Sequence, residues 1–442
     1  MSHRRGAISV AAAVRALWAV LALGVGGCAS LAANSSGSDL GLVQDAMRQV
    51  ESSYVVPVGP DKLVSGALKG MLSKLDPHSD YMTETEYREL MATTSGQFGG
   101  IGIEVSVEEG VPQVVSAIEG TPAAAAGIEP GDRIVKADGV AIVGMDIGEV
   151  VRRLRGPPGS RVVLTVARTN RSPFDVAITR AIIRVESVKS ALKPGRIGYV
   201  RISTFDETTP TELRRAIARL RQQAGGSFTG FVLDLRNDAG GLLDAAVDVA
   251  SEFLDSGTIV TTRGRDSSEN RIYDAPPNGD LVRGTPMVVL INGASASASE
   301  IVAGALQDNR RATVLGTHSF GKGSVQSIIP LEGRGALRLT TALYYTPSGQ
   351  SIQGHGITPD QVVTVPKDQQ VANAVVTYES DLFGSLKATG ALAPRARSRA
   401  TAGGGVTGEA DHPINPKVIG TAQDAQLNAA VAWLGSHRTA AR

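Results

Sequence analysis

The sequence contains one cysteine, Cys28, among 442 residues, so no disulfide can form within the chain. Histidine is also scarce, and the spacing of the six histidines suggests no metal site. They are His3, His78, His318, His355, His412 and His437. We therefore expect neither a metal centre nor any other cofactor.

Aromatic residues are few, and neither sign of charge is in surplus. Aromatic side chains make up 4% of the chain, and 44 basic residues against 43 acidic ones leave a formal net charge of +1. Such a surface can neither neutralise a phosphate backbone nor stack bases extensively, which argues against nucleic-acid binding. The length and the 42% hydrophobic content predict a globular protein of two or three domains.

The N-terminus carries the pattern of an export signal. Arg4, Arg5 and Arg15 supply positive charge, and the apolar run at 16–27 is too short for an ordinary membrane-spanning helix. Residues 1–33 are therefore predicted to be an export signal that directs the protein to the bacterial periplasm.

The end of this signal leaves two interpretations open. Val25–Cys28 resembles a bacterial lipoprotein box, in which Cys28 becomes the lipidated N-terminus and associates the protein with a membrane. The other interpretation is a soluble signal that is cleaved near Ala32 or Ala33.

Hydrophobic periodicity divides the rest of the chain. Residues 40–94 show helical spacing, residues 95–184 show strands and glycine turns, and residues 185–366 alternate strands with helices. Residues 389–413 are rich in Ala, Gly, Arg and Thr, which predicts a flexible linker, and 414–442 form a helical tail. The alternation predicts an α/β core.

A candidate nucleophile lies at the end of a buried strand. Asn292–Ile301 ends an apolar run and starts a helix, which would project the Ser297 hydroxyl towards a cleft near the positive helix end. The same residues also fit a simpler interpretation, because Ser297 and Glu300 satisfy the Ser-x-x-Glu capping box.

A candidate general base follows 25 residues later. Lys322 lies between Gly321 and Gly323, whose small size lets the backbone enclose the lysine side chain. A desolvated lysine loses its proton more easily and can activate a serine. Gln326 could hold the amine by hydrogen bonding. A Ser-His-Asp hydrolase that uses His318 with Asp234 or Asp238 remains an alternative.

Several stretches together resemble the C-terminal processing peptidases, also called tail-specific proteases. The resemblance runs in order from about Leu40 to Asp360. Its matching stretches are Leu75–Tyr81, Phe98–Gly102, Leu235–Leu243, Ser295–Asp308, Phe320–Gln326 and Tyr344–Gly349.

This resemblance implies a role for each matching residue. Ser297 would be the nucleophile, Lys322 the general base and Gln326 the residue that orients the lysine. Backbone N–H groups at Gly240 and Ala298 would form the oxyanion hole.

Two further positions follow from the same comparison. Asp308 is sometimes counted with the catalytic set, but it lies about 16 Å along the helix from Ser297, so we expect a supporting role. The family usually has Asn-Pro-Gly-Gly where this chain has Asp238-Ala239-Gly240-Gly241. Loss of the proline frees the backbone before the presumed oxyanion donor.

The segment 95–184 resembles a PDZ domain. The Phe98–Ile103 stretch is similar to the PDZ carboxylate-binding loop, and Pro130–Ile134 is similar to a later PDZ motif. The resemblance implies that Gly100, Ile101, Gly102 and Ile103 bind a protein C-terminus, with an apolar pocket that suits small residues such as Ala.

The resemblance implies an architecture and an activity. The expected fold is a protease core with a largely parallel sheet flanked by helices, a PDZ domain built as a partly open β-barrel with two helices, and a helical N-terminal segment. The expected activity is a serine endopeptidase that cuts proteins near their C-terminal tails. The sequence leaves open a homo-oligomer or an activating adaptor as further partners, and a PDZ adaptor that binds tails without cutting them.

Overall fold

The computed structural model describes residues 39–108, 110–184, 186–371, 376–387 and 414–437. The predicted export signal with Cys28 and the predicted linker at 389–413 lie outside the described residues. The chain divides into two compact units, one up to Lys69 and one from Gly70 onwards. Among the described helices, none is both long and apolar enough to span a bilayer.

Nine α-helices occur within the described residues. They are α1 (Asp39–Ser53), α2 (Pro60–Leu72), α3 (Glu84–Thr94), α4 (Pro122–Ala125), α5 (Ile147–Leu154), α6 (Thr209–Gln223), α7 (Leu243–Ser251), α8 (Ala298–Asp308) and α9 (Ala425–Ser436). The helix α3 begins with a complete capping box, in which Thr83 and Glu86 exchange hydrogen bonds.

Strands dominate the segment that follows α3. β2 (Gln97–Gly100) pairs with β9 (Ala181–Arg184). A second, antiparallel sheet has the order β3-β4-β5-β7-β8, with β6 paired to β5. Its strands are β3 (Ile103–Glu108), β4 (Val111–Ala117), β5 (Arg133–Ala137), β6 (Val140–Ala141), β7 (Arg161–Ala167) and β8 (Phe174–Thr179).

This second sheet and the helix α5 enclose a separate apolar core. Ile134, Val150 and Leu164 are completely buried there. The strand β3 lies at one end of the sheet order, so only one of its edges is paired within the described chain. An unpaired strand edge can accept an extended peptide as an additional strand.

The C-terminal core contains two sheets. The first has the order β10-β11-β12-β15-β16-β19 and is parallel except for the β10–β11 pair. Its strands are β10 (Val188–Lys193), β11 (Ile197–Ile202), β12 (Gly230–Asp234), β15 (Met287–Ile291), β16 (Thr313–Gly316) and β19 (Gln361–Val362).

The second core sheet is entirely antiparallel. Its order is β1-β18-β13-β14, and β17 also pairs with β18. The strands are β1 (Asp80–Met82), β13 (Thr258–Gly264), β14 (Arg271–Asp274), β17 (Ser324–Pro330) and β18 (Ala336–Tyr345).

The expectation of a largely parallel core sheet is therefore too simple. The core is α/β, as predicted, but the parallel arrangement describes only one of its two sheets. Most strand pairs of the described chain are antiparallel. In the second core sheet, β13–β14 and β17–β18 each join strands that are consecutive in the chain, and such pairs need no crossover helix.

Both faces of the parallel sheet are covered by helices. Phe231 and Leu233 on β12 face α6, α7 and α8, whereas Val232 faces α9. This alternation follows from the two-residue period of a strand, which explains why β12 is apolar throughout.

A buried ion cluster attaches α9 to the end of β12. Arg236 is fully buried, and its guanidinium donates to Asp234 Oδ1 at 2.8 Å, to Asp424 Oδ1 at 2.9 Å and to Gln426 Oε1 at 3.0 Å. Buried charges of this kind require partners on every side. The cluster thus anchors the start of the Asn237–Gly241 loop to the C-terminal helix α9.

Candidate active site

Ser297 lies at a strained turn between β15 and α8. Its backbone has φ 53° and ψ −111°, a conformation that residues with a side chain seldom adopt. Two hydrogen bonds to the segment after β12 fix this turn. Ser295 Oγ donates to Leu235 O at 2.8 Å, and Ala296 N donates to Asp238 O at 2.9 Å. A strained residue at such a turn is typical of an exposed nucleophile.

The capping interpretation of Ser297 holds firmly on the glutamate side. The Glu300 carboxylate accepts from Ser297 N at 2.7 Å, which is the glutamate half of a capping box. On the serine side, the Ser297 side chain faces the Glu300 N–H as in a capping box, but without a hydrogen bond of ordinary geometry. The hydroxyl is therefore held more weakly than the Ser297 backbone.

Glu300 also binds the segment that carries Lys322. Its Oε2 accepts from Ser297 N at 2.7 Å and from Lys322 N at 3.0 Å. Its Oε1 accepts from Ser319 Oγ at 2.6 Å and from Gly321 N at 2.7 Å. One fully buried carboxylate thus fixes the backbones of the candidate nucleophile and the candidate base next to each other.

Burial dominates the electrostatics of Glu300. Removal from water raises its pKa to about 7, against the hydrogen bonds from Ser319, Gly321, Ser297 and Lys322, which favour the ionised form. The four donors explain how this carboxyl group is accommodated although no cation among the described residues bonds to it.

The glycines on both sides of Lys322 pack against backbone, and Lys322 itself is partly buried. A Cβ atom on Gly323 would lie 2.1 Å from Gln353 N, and Gly321 has φ +98°. Both neighbours must therefore be glycine, as the enclosure argument requires. Desolvation lowers the pKa of the Lys322 amine and the Arg338 guanidinium lowers it further, while nearby carboxylates oppose this.

Gln326 does not make the expected bond. Its amide nitrogen donates to Ser324 Oγ at 2.9 Å and to Thr340 Oγ1 at 3.3 Å. None of the hydrogen bonds given by the described residues joins Gln326 to the Lys322 amine. Thr340 in turn donates to Asp76 Oδ1 at 3.1 Å, so Gln326 belongs to a polar cluster beside the amine.

Gly240 packs directly against the nucleophile. A Cβ atom at this position would lie 2.6 Å from Ala296 O, 2.9 Å from Ala298 N and 3.0 Å from Ser297 Cβ. The predicted oxyanion groups are thus adjacent. The N–H of Gly240, however, donates to Asp238 Oδ1 at 2.8 Å, so it would have to exchange this partner to bind an oxyanion.

Asp238 is a buried carboxyl group with an incomplete set of partners. Its Oδ2 has no hydrogen-bond partner within the described part of the chain, and its side chain is inaccessible to solvent. Burial raises the pKa of Asp238 to about 8, against the hydrogen bond from Gly240, the nearby Ser299 hydroxyl and the charge of Arg201. The Ser299 hydroxyl itself donates to the backbone carbonyl of Asp238 at 3.1 Å. The departure from the usual Asn at this position therefore places a titratable group at the oxyanion loop.

We predict that Asp238→Asn increases stability at alkaline pH. The folded-state pKa of Asp238 is raised above the unfolded value of about 3.9, so unfolding releases protons and stability falls as pH rises between about 4 and 8. Asparagine does not ionise in this window. Relative to pH 4, we expect the variant at pH 9 to gain up to about 5 kcal/mol in free energy of unfolding over the wild type, the amount implied by a pKa raised from about 3.9 to about 8.

Denaturant titrations across this pH range measure the difference. Both proteins should carry Ser297→Ala, so that self-digestion cannot contribute. Parallel stability curves for the two proteins would show that Asp238 is not the titrating group.

Asp308 supports a turn and does not enter the site. At the far end of α8 its Oδ2 accepts from Ser348 N at 2.9 Å, which stabilises the turn at 346–349. This position agrees with a supporting role.

The acids of the histidine alternative are engaged elsewhere. Asp234 binds Arg236 and accepts from the Tyr199 hydroxyl at 2.8 Å, and Asp238 binds Gly240. His318 Nδ1 lies 3.4 Å from Thr358 Oγ1. The hydrogen bonds of the two acids therefore do not build a Ser-His-Asp relay.

The predicted tail-binding loop precedes the edge strand β3. Gly102 has φ +81°, and a Cβ atom there would lie 2.3 Å from Thr121 Cβ. The carbonyls of Ile101 and Gly102 accept from Ala123 N and Ile118 N, each at 2.9 Å. In a trans peptide the N–H points opposite to the C=O. The N–H groups of Gly102 and Ile103 therefore point away from Ala123 and Ile118.

Ile101 contributes to the loop through its backbone alone. Its side chain is buried in the apolar core beneath the sheet, together with Ile134 and Val162. Gly100 closes β2, where a side chain would collide with the ring of Phe98. The four predicted residues thus run from the end of β2, through the turn at Ile101 and Gly102, to the start of β3.

Sequence reasoning missed the second function of Glu300 and did not identify Glu379. The Ser-x-x-Glu motif indicated only the helix cap, and nothing local to residue 300 predicts its bond to Lys322 N. Glu379, fully buried, accepts from His78 and Gln353 beside the Lys322 segment. No sequence signal pairs residues this far apart in one chain.

Three family models match the chain. Residues 196–363 match "Peptidase family S41", residues 113–168 match "PDZ domain" and residues 28–86 match "Activating protease CtpB N-terminal domain". The first two cover most of the two segments that carry the candidate sites.

Curated relatives show the same similarity over most of their length. The chain is 50% identical over 346 residues to a carboxy-terminal-processing protease of Bartonella bacilliformis, covering 78% of this chain and 79% of the relative. It is 34% identical to the carboxy-terminal processing protease CtpA of Bacillus subtilis, over 80% of this chain and 75% of that one.

Among solved structures, the photosystem II D1 C-terminal processing protease is 30% identical. It matches with a TM-score of 0.45, over 74% of this chain and 94% of that one.

Proposed function

Because this chain belongs to the carboxy-terminal-processing proteases of peptidase family S41, we propose that it cleaves peptide bonds with Ser297 as nucleophile and Lys322 as general base. We further propose that its PDZ domain selects protein substrates by their C-terminal tails. The observation that carries the proposal is the Glu300 clamp, which bonds the backbone N–H groups of Ser297 and Lys322 to the same carboxylate oxygen.

The proposed reaction begins with the free amine of Lys322. The amine accepts the hydroxyl proton of Ser297 while Oγ attacks the scissile carbonyl carbon, which gives a tetrahedral intermediate and an ammonium group. The ammonium then donates this proton to the departing amine as the C–N bond breaks, leaving an ester on Ser297. Water attacks the ester, with Lys322 again as base, and the proton returns to Ser297 as the carboxylate product leaves.

The oxyanion is proposed to bind at the start of α8. The N–H of Ala298 is next to the nucleophile and at the positive end of the helix. Gly240 N–H would be the second donor, once it releases Asp238 Oδ1.

Tail recognition is proposed at the β3 edge. An extended peptide can pair with β3 while its terminal carboxylate meets the N–H groups of the Gly100–Ile103 turn. Small apolar final residues, such as Ala, should fit the apolar surroundings of this turn.

The PDZ domain borders the protease core directly. A Cβ atom on Gly96 would lie 2.9 Å from Asp206 Cγ in the core. Just before the PDZ segment, Thr94 O at the end of α3 accepts from Glu207 N of the core at 3.1 Å. Such a short connection can transmit tail binding to the groove, by a preference of the bound tail for one arrangement of the domains.

We predict that activity rises from neutral to mildly alkaline pH. Burial holds the pKa of Lys322 below its ordinary value, and deprotonation of the amine creates the base, so kcat/KM should rise with pH and level off once the amine is free. Arg338→Gln should move this rise to higher pH, because the guanidinium is the main charge that lowers the amine pKa.

Profiles of kcat/KM between pH 5 and 10 test this prediction. A rise centred near pH 6.5, the ordinary value for histidine, that disappears in His318→Ala would support the histidine alternative.

We predict that a free tail peptide stimulates cleavage of a second substrate at low concentration and competes at high concentration. The Gly102→Ala variant should bind the peptide at least tenfold more weakly, because its Cβ would collide with Thr121 in a backbone conformation that disfavours alanine. C-terminal amidation of the peptide should remove the stimulation, since the N–H groups lose their anion.

Fluorescence anisotropy measures the binding, and a cleavage assay with a tail-free reporter measures the stimulation. Gly110→Ala is a matched control, because Gly110 also has positive φ and a Cβ atom there meets nothing within 4 Å. A peptide that only inhibits at every concentration would show that the PDZ domain delivers substrate without gating.

A further inference from the structure

A segment beyond the matched peptidase region lies along the candidate base. Residues 376–387, called here the strap, follow the family S41 match, which ends at residue 363. Glu379 N donates to Phe320 O at 3.0 Å, two residues before Lys322. A Cβ atom on Gly293 would lie 2.4 Å from Val376 Cγ1, so the strap also packs on the turn before the nucleophile.

The strap brings a buried carboxylate to this position. Glu379 is completely buried, and its Oε2 lies 2.8 Å from His78 Nε2. Its Oε1 accepts from Gln353 Nε2 at 2.8 Å and from Ser385 Oγ at 3.0 Å. A carboxylate without solvent needs such donors, and here three different segments provide them.

Gln353 connects Glu379 to the backbone beside Lys322. Its Oε1 accepts from Gly323 N at 3.0 Å, next to Lys322 in the chain. Its backbone is also close enough to exclude any Cβ atom from Gly323. Gln353 Nε2 donates to Glu379 Oε1 at 2.8 Å, and at 3.2 Å to Ser385 Oγ and Leu386 O on the same strap. With Glu379 as the shortest and only charged of these acceptors, the amide is oriented with its oxygen towards Gly323.

Glu379 is also part of the charge environment of the amine. Desolvation and Arg338 on β18 lower the pKa of Lys322, whereas Glu379, Glu300 and Asp76 raise it. His78, which precedes β1, faces Glu379, and its carbonyl accepts from Arg338 Nε at 3.0 Å. Burial raises the pKa of Glu379, but hydrogen bonds from His78 and Gln353 outweigh it and leave the pKa below its ordinary value.

We propose that Glu379 is a positioning residue for the general base, which it holds through Gln353 and Gly323 while its buried charge acts on the Lys322 amine. The proposal rests on the function proposed above. It extends the working site to a part of the chain beyond the matched peptidase region.

Two substitutions separate the restraint from the charge. Glu379→Ala removes both, and we expect kcat to fall by about tenfold to a hundredfold, the effect of a displaced catalytic group. Glu379→Gln keeps an oxygen that can accept from Gln353 but loses the charge. We expect its plateau kcat to stay within about threefold of the wild type, with the acid limb of the pH profile moved to lower pH because the ammonium form loses a stabilising anion.

The matched control is Asp381→Asn. Asp381 lies on the same short turn as Glu379, and this substitution also removes one negative charge. The side chain of Asp381, however, is exposed. Neither its kcat nor the position of its acid limb should change.

Each outcome decides the proposal. If the wild type cleaves, Ser297→Ala does not, and both Glu379 variants retain the wild-type rate and acid limb, Glu379 is not a positioning residue. An equal loss of kcat in both variants with an unmoved limb would also overturn the proposal, since a purely structural role predicts it. If Glu379→Ala fails to fold, the pH profile of Glu379→Gln is sufficient by itself. An acid limb at lower pH would support the proposal, and an unmoved limb would overturn it. Cleavage by Ser297→Ala would overturn the proposed function and this inference together.

Discussion

Alanine at Ser297 or at Lys322 is expected to reduce cleavage of a tailed protein by about three orders of magnitude or more, while the fold is retained. Ser297 would supply the attacking oxygen and Lys322 the base. We expect no neighbouring side chain to take over either role, because none would be held in the same position. Because the two residues act as one unit, the double variant should be no slower than either single variant.

Mass spectrometry of the products maps the cut sites, and circular dichroism compares the folds. Peptide binding to the PDZ domain is the internal control, because it should persist in all three variants. Substantial cleavage by Lys322→Ala would exclude the pair, and His318→Ala would then test the histidine alternative. A wild-type protein that binds tails but never cuts them would instead be an adaptor.

Glu300→Gln is expected to lower kcat by about a hundredfold or more. The wild-type carboxylate accepts from three backbone N–H groups and one hydroxyl, all directed at its two oxygens. An amide has a single acceptor oxygen, so in either orientation its NH₂ group faces at least one buried N–H. The segments that carry Ser297 and Lys322 must then separate.

The same substitution should lower the free energy of unfolding by about 1–3 kcal/mol, the usual cost of an unsatisfied buried donor. Steady-state kinetics and urea denaturation measure the two effects separately. Asp308→Asn at the other end of α8 is the control, because its amide oxygen can still accept from Ser348 N. Activity of Glu300→Gln equal to that of Asp308→Asn would show that the clamp is dispensable.

Both halves of the candidate site could be predicted from local sequence. The Ser297 turn is local, since an apolar strand, a short turn and a helix start occur within Met287–Ile301. The glycines beside Lys322 likewise indicated an enclosed side chain, and the structure places backbone against both of them. Such features depend on stereochemistry within a few residues, which the sequence displays directly.

The neighbours of Gln326 depend on the fold of its strand. Gln326 lies on β17, with a register shift between Val325 and Gln326. The strand directs its amide to Thr340 on β18. Its predicted role in orienting the amine remains to be tested by kinetics.

Sequence alone determined the family, the α/β class of the core, the candidate nucleophile and base, and the glycine turn that begins the PDZ edge strand. Only the tertiary structure decided which groups surround them: the bond from Glu300 to Lys322, the buried orphan oxygen of Asp238, and the pair of His78 with Glu379, 301 residues apart. The physical reason is that backbone conformation is encoded locally, whereas burial and hydrogen-bond partners arise from segments that meet only when the chain has folded.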